Sequence, residues 1–178
     1  LILQTVVAQS ISEIPSAEWD ALRSDDHPFL AHAFLAGLEQ HGCIRADYGW
    51  QSCPMGLYEA GKLVAAAPLY LKGNSHGEFV FDGAWANAYA RHGLDYYPKL
   101  LCAVPYSPVT GPRLLVGAGP GAESRRNALI DALEQQADAF GLSSIHLNFA
   151  DRIDTEALAA TAWLPRFDWQ FHWRNRGW

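Results

Sequence analysis

With 178 residues the chain is long enough to bury a sizeable core and short enough for one domain. Its formal net charge of −6, without any basic run or aromatic–basic stripe, argues against DNA or another nucleic acid as a partner, since neutralising phosphates in series needs clustered Lys and Arg. No segment approaches the roughly 20 uninterrupted apolar residues of a membrane span; the longest candidate, Leu63 to Leu71, is strand-sized. Leu1 to Val7 has neither a basic n-region nor a Met, so it does not read as a signal peptide, and a cytoplasmic protein is expected. The missing start and the ending at Trp178 suggest a fragment. Cys43, Cys53 and Cys102 are odd in number and lack C-x-x-C spacing, which fits buried free thiols in a reducing compartment better than a disulfide or a metal site.

In chain order, Leu1 to Ala8 reads as a strand. Pro15 and Ser16 introduce a short helix carrying Trp19 and Leu22. After the turn Asp25-Asp-His27-Pro28, a second helix runs from Phe29 to His41, with Phe34, Leu35 and Leu38 as its apolar stripe and Gly42 as its stop. Met55 to Tyr58 and Leu63 to Leu71 flank Glu59-Ala-Gly-Lys62 in a hairpin pattern. Glu78 to Asp82 reads as another short strand, and Trp85 to Tyr106 as a helical or irregular aromatic-rich region. Thr155 to Ala162 is a predicted helix, and Trp163 to Trp173 alternates enough for one or two strands.

The most informative stretch runs from Thr110 to Phe149. Leu114 to Val116 give a short strand, broken by Gly117, Gly119, Pro120 and Gly121. Ser124 is read as an N-cap. Leu129, Leu133, Ala137 and Phe140 then recur at helical spacing to Gly141, and Ile145, Leu147 and Phe149 alternate with His146 and Asn148 as in a half-buried strand. A glycine loop opening a helix gathers unpaired N–H groups, a site for pyrophosphate or another anion, so Gly117, Gly119 and Gly121 are candidate cofactor-binding residues. A glycine-rich connection without a ligand is the alternative. This unit resembles the cofactor-binding core of the GNAT acyltransferases, whose loop holds the coenzyme A pyrophosphate and follows R/Q-x-x-G-x-G/A. Here Arg113 stands one residue further from Gly117 than in that pattern.

The segments HPFLAHAFLAGLEQHG, GKLVAAAPLYLK, GEFVFDGAWANAY, YYPKLLCAVPYSPVTGPRLL and FHWRN resemble the FemAB-like family, described as peptidoglycan biosynthesis or recognition proteins of the GNAT superfamily. The resemblance runs from about His27 to Trp178. It implies an α/β (α+β) fold with a mixed, mostly antiparallel central sheet flanked by helices. It also implies that residues 1–178 form a single GNAT-like domain, the N-terminal half of a longer two-unit protein. The better-known Fem transferases move an amino acid from aminoacyl-tRNA onto a peptidoglycan precursor, so acyl-CoA and aminoacyl-tRNA are both candidate donors. The expected reaction is attack of a substrate amine on an activated acyl ester or thioester, assisted by orientation and carbonyl polarisation. A non-catalytic module that binds a cell-wall precursor or fragment is the second reading. A homodimer in which another copy supplies the missing half is a third.

Tyr96, Tyr97, Lys99, Tyr106, Thr110 and Arg113 gather two cations and several hydroxyls within eighteen residues. Lys99 and Arg113 suit a phosphate or carboxylate, the Arg bidentately, and tyrosines stack on a sugar or base while offering a hydroxyl. These residues are expected to bind substrate, with Lys99 and Arg113 facing a shared cleft near His172. The alternative is core aromatics and surface ion pairs. In FHWRNRGW, a strand would set Phe171 and Trp173 against His172 and Arg174. His172 is the candidate general base for an attacking amine, since histidine titrates near working pH, and Asn175 is a candidate ligand. His27, His32 and His41 do not share a helix face, which disfavours a metal site; His32 is kept as a substrate-side candidate. Gly73-Asn-Ser75-His-Gly77 matches the nucleophile-elbow pattern, but a strand rather than a helix is expected to follow, so the match is read as chance.

Overall fold

The computed structural model describes residues 2–177; Leu1 and Trp178, the end residues of the first predicted strand and of the FHWRNRGW segment, lie outside them. Two sheets share one run of chain. The first has the order β1-β3-β4, all antiparallel, with β1 at Leu3–Val7, β3 at Met55–Glu59 and β4 at Lys62–Ala67. The second has the order β2-β5-β6-β7, with β2 at Trp50–Ser52, β5 at Leu69–Lys72, β6 at Lys99–Cys102 and β7 at Ile145–Leu147. Pro68 divides the long predicted strand into β4 and β5, because it has no amide for a ladder. The pair β6–β7 is parallel, while β2–β5 and β5–β6 are antiparallel. This is the mixed, mostly antiparallel sheet that the sequence predicted.

Period-two alternation gives the second sheet two unlike faces. Leu69, Leu100, Cys102 and the half-buried Leu147 lie in the core with Leu129, Ile130 and Leu133 of helix α4 (Ala122–Ala139). Each such fully buried Leu or Ile contributes about 1.5–3 kcal/mol. The opposite face carries Trp50, Tyr70 and Leu101 together with Lys72, Lys99 and His146. Over the first sheet, α1 (Ser16–Ala21) and α2 (His32–Gln40) bury Trp19 and Leu35 on Leu63, Ala66 and Leu115, with the Trp19 indole donating to Leu30 O at 2.9 Å. Helix α3 (Gly83–Arg91) contains no buried residue, and α5 (Arg152–Ala159) follows β7.

Several local expectations are corrected. Glu78 to Asp82 is irregular, not a strand: Phe79 takes φ 58°, and the two acidic side chains turn inward while Phe79 and Phe81 are exposed. Residues 163–173 form no strand. Helix α4 starts after Gly121, which is its cap at φ +84°, so Ser124 lies inside the first turn. Leu114 to Val116 is not a separate strand either. Leu115 exchanges two backbone hydrogen bonds with Ala66, 2.8 and 2.9 Å long. That pairing continues the register in which β6 runs along β5, from Lys72↔Lys99 to Leu69↔Cys102. One strand is therefore interrupted: Ala103 still donates to Pro68 O at 3.2 Å, and residues 104–114 leave the strand and return before Leu115. On the other side Cys102 pairs with Leu147, and within the excursion Gly111 bridges Ala150.

Candidate functional site

Under residues 73–97, the polar face of the second sheet closes over a buried charge network. Lys99, on β6, bonds Asp82 and ion-pairs with Glu78 Oε1 at 3.0 Å; all three side chains are excluded from solvent. Asp82 precedes α3 but does not cap it with its side chain. Instead its carboxylate accepts from Tyr96 at 3.0 Å and from Tyr97 at 2.9 Å. His146 reaches the network from β7, with Nδ1 3.4 Å from Lys99 Nζ and Nε2 3.3 Å from both Tyr96 OH and Ser144 Oγ. Since Lys99 has only protons to give, the neutral imidazole carries its proton on Nε2. The bonds then run from Lys99 through His146 and Tyr96 to Asp82, which Lys99 also contacts directly.

Electrostatics follow from this packing. Burial, then the Lys99 charge, holds His146 down to about 4. Burial raises Glu78, whereas for Asp82 the bonds from Lys99, Tyr97 and Tyr96 outweigh burial and lower it. Burial pushes the Tyr97 phenol up to about 12. Lys72 neighbours the network with its ammonium 3.9 Å from the Trp50 ring centroid, and burial lowers it to about 8.

Arg113 is also fully buried. Its guanidinium donates to three carbonyls: Nε to Asn148 at 3.0 Å, Nη1 to Pro112 at 3.0 Å and Nη2 to Val109 at 2.5 Å. Asn148 in turn points Nδ2 at Glu78 Oε2, 3.4 Å away. Lys99 and Arg113 are thus linked through Glu78 and Asn148, but as internally paired cations that shape the excursion. The amides of Arg113 and Leu114 both donate to Asp154 Oδ2, at 2.6 and 3.0 Å, and Asp154 Oδ1 accepts from Arg126 at 3.1 Å.

The glycine loop has the conformation its residues suggest: Gly117, Gly119 and Gly121 take φ of +66°, +90° and +84°. Arg125 braces it, donating to Val116 O at 2.9 Å and Pro120 O at 3.2 Å. A side chain at Gly119 would meet nothing within 4 Å, so the outer surface of the loop is open. Beside it lies a cavity of about 170 Å³ lined by Leu22, Leu114, Val116, Gly117, Arg126 and Asp154.

The remaining predicted residues are dispersed. Tyr106 donates its hydroxyl to Cys43 O at 2.8 Å and packs against Trp50 and Gly77, where a β carbon would come within 2.6 Å of the Tyr106 ring. Thr110 is exposed, its carbonyl 3.3 Å from His27 Nε2. His32 directs Nε2 at the carbonyls of Ile11 and Ile14, both at 2.9 Å, and so ties α2 to the loop after β1. His172 and Asn175 are exposed in the irregular terminal segment, where His172, Trp173, Arg174 and Arg176 line an open depression. Cys53 and Cys102 are buried free thiols and Cys43 is half-buried. Ser75 sits in a turn with no helix directly after it.

Sequence reasoning had Tyr97 and Lys99 but missed Glu78, Asp82, His146 and Asp154. The GEFVFDG alternation concealed the first two, since nothing local distinguishes an acidic residue turned inward from one turned outward.

Comparison with known proteins accords with this topology. Residues 10–178 match the FemAB-like family model, described as peptidoglycan biosynthesis/recognition. The aminoglycoside 6'-N-acetyltransferase AAC(6')-Ih of Acinetobacter baumannii superposes with a TM-score of 0.53 at 11% identity, over 99% of this chain and 100% of its own. A ribosomal-protein-alanine N-acetyltransferase from Brucella melitensis biovar Abortus 2308 covers 98% of this chain and 99% of its own at 16% identity, TM-score 0.48. Aminoglycoside N-acetyltransferase AAC(6')-Iy, solved in complex with CoA, covers 98% and 99% at 12% identity, TM-score 0.47. No curated protein matches the chain. The fold is that of the GNAT acetyltransferases.

Proposed function

Because the chain belongs to the FemAB-like family, we propose that it serves an N-acyltransferase, moving an acyl group from a thioester onto an amine of a peptidoglycan precursor. The observation that carries this reading is the glycine turn. Three glycines at positive φ lead from Leu115, held in the sheet by Ala66, into the 18-residue helix α4. The amides of Glu123 and Ser124 in the first turn, together with the helix dipole, favour an anion there. The loop's open outer surface leaves room for the pyrophosphate of coenzyme A at Gly117, Gly119 and Gly121, with the adjoining cavity for the donor's arm. Acyl-CoA suits the chain better than aminoacyl-tRNA, since a net charge of −6 gives polyanionic RNA little attraction.

In the reaction the amine nitrogen attacks the thioester carbonyl, the C–S bond breaks, and the departing thiolate takes up a proton. A base removes the proton from the amine. His172 fills that role in this reading, on the exposed terminal segment with Asn175, and Tyr97 and Thr110 stand on the acceptor side. Lys99, Arg113, Tyr106 and His32 act one step removed, holding the surfaces that substrate meets. We place the chain as the N-terminal GNAT-like unit of a two-unit protein in which both units build the site, so that it is inactive alone.

The test is acyl transfer by the full-length protein, from acyl-CoA, to a panel of amines that includes muropeptides. Turnover dependent on Gly119 supports the reading; no turnover with any acyl-CoA overturns it. A second reading, a binding module, is favoured by the internal pairing of both Lys99 and Arg113. Thermal stabilisation by muropeptide but not by coenzyme A would select it.

A further inference from the structure

Three arginines flank the glycine turn, and they differ in what each guanidinium has left to offer. Arg113 is fully buried and donates Nε, Nη1 and Nη2 to three carbonyls. Arg125 donates Nε and Nη1 to Val116 O and Pro120 O. Arg126 donates only Nε, to Asp154 Oδ1 at 3.1 Å. Its Nη1 and Nη2 have no hydrogen-bond partner among the described residues, and neither is sealed from solvent. The side chain as a whole is packed away, 15% exposed. An arginine gripped at Nε presents its two Nη groups as parallel donors, the shape that a phosphate or carboxylate accepts bidentately.

Asp154 is built to hold that grip. Its side chain is 1% exposed, and Oδ2 accepts from the amides of Arg113 and Leu114. Its own amide donates to Asp151 Oδ1 at 2.8 Å, at the start of α5. Backbone on two sides therefore fixes the carboxylate, and the carboxylate fixes the guanidinium. A link between α4 and α5 alone does not require this, because apolar residues tie helices as well without desolvating a charge. Arg126 and Asp154 both line the cavity of about 170 Å³ beside Gly117. Leu22, Leu114 and Val116 give it apolar walls, and the Ser24 hydroxyl adds a donor. Asp151, the other carboxylate on the wall, is engaged by the Asp154 amide.

We infer that Arg126 binds a phosphate group of the acyl donor through its Nη pair, and that Asp154 is the residue that positions it. This role rests on the glycine turn as the donor site, and it supplies the cation that Arg113, spent on carbonyls, does not. A planar fork suits a phosphate in a way that a lysine ammonium does not. With Oδ2 bonded to two amides, the Asp154 carboxylate opposes less of the Arg126 charge at the Nη edge. A phosphate held there leaves the apolar walls to the uncharged part of the donor. Coenzyme A offers two such groups, its pyrophosphate and its ribose phosphate, with the same chemistry.

Calorimetry on the full-length protein tests this, with coenzyme A, dephospho-coenzyme A, phosphate-free pantetheine and inorganic pyrophosphate as probes. In Arg126→Gln the affinity for coenzyme A is expected to fall by about tenfold or more, the worth of a charge-assisted hydrogen bond, while that for pantetheine stays unchanged. A role confined to linking helices would not move that ratio. Arg126→Lys keeps the charge but not the fork and should recover only part of the loss. Asp154→Asn should lower the same ratio with Arg126 in place. Dependence on Arg126 that survives with dephospho-coenzyme A assigns the pyrophosphate; dependence that vanishes assigns the ribose phosphate; both support the inference. A ratio unchanged in Arg126→Gln, or wild-type protein that binds neither pyrophosphate nor coenzyme A, overturns it. Acyl transfer with an unchanged ratio sinks this role alone. Arg126-dependent pyrophosphate binding without transfer from any acyl-CoA sinks the donor reading and leaves the phosphate site standing.

Discussion

The ammonium of Lys99 stands 3.0 Å from Glu78 Oε1, and neither side chain reaches solvent. Asp82 shares the same ammonium, so one cation sits between two buried carboxylates. Lys99→Met would leave those carboxylates facing each other without it. A loss of about 3–5 kcal/mol is expected, as for breaking other buried pairs, and Glu78→Gln in the same chain should restore part of it. Urea unfolding of the three proteins checks this; a loss below about 1 kcal/mol for Lys99→Met would show that the network is not coupled to folding.

His146 gives the fold a distinct acid sensitivity. Its folded value is depressed from 6.5 to about 4, so above pH 6.5 the ring is neutral in both folded and unfolded chains. Between pH 6.5 and 4 the unfolded chain takes up a proton that the folded one refuses, and stability falls as pH is lowered. The loss is on the order of 3 kcal/mol once pH passes below 4. Carboxylates titrate at the acid end too, so the difference between wild type and His146→Gln isolates the histidine. Parallel stability curves across this window would refute the assignment.

Arg113 serves three carbonyls with three separate N–H groups, a geometry that lysine lacks. Arg113→Lys is expected to cost about 2–4 kcal/mol, since at least two buried carbonyls lose their donors. The sequence alone suggested a ligand-binding role; the geometry predicts instead that stability falls first. Thermal melts alongside calorimetry with anionic ligands separate the two. A variant of unchanged stability with impaired binding would restore the ligand role.

Gly119→Ala tests the donor site with little structural interference. The added carbon meets nothing, so the cost is the backbone strain of φ +90°, about 1 kcal/mol. If the loop's outer surface cradles pyrophosphate, coenzyme A affinity measured by calorimetry should fall at least tenfold. Wild-type protein that releases no heat with coenzyme A in the full-length context would exclude the site altogether.

Much of the architecture is legible in the sequence where the signal is periodic. Leu129, Leu133 and Ala137 mark α4, Glu59-Ala-Gly-Lys62 marks the β3–β4 hairpin, and Ile145 with Leu147 marks β7. The glycine loop was readable because positive φ is a local demand that glycine meets most readily. The site was not. Glu78, Asp82 and His146 become partners of Lys99 only after the sheet brings together residues up to 47 positions apart, and a buried charge has no periodic signature. The interrupted strand was hidden for a related reason: Leu114 to Val116 has the composition of a strand, but its continuity with Lys99 to Cys102 exists only through their common neighbour, Ala66 to Lys72. The aromatic alternation after Trp163 was correctly seen, yet the ladder that would make it a strand is not formed.

The excursion that splits β6 makes the chain severable. Before Ser107, Tyr106 is fastened to Gly77 and Cys43; after Pro108, Val109 is fastened to Arg113 and Gly111 to Ala150. A peptide bond cut between Ser107 and Pro108 would therefore leave each new end anchored within its own piece. The pieces themselves would stay joined by β6 against β7, by Leu115 against Ala66, and by α4 against the sheet. The molecule is divisible into residues 1–107 and 108–178, two fragments suited to reassembly by complementation.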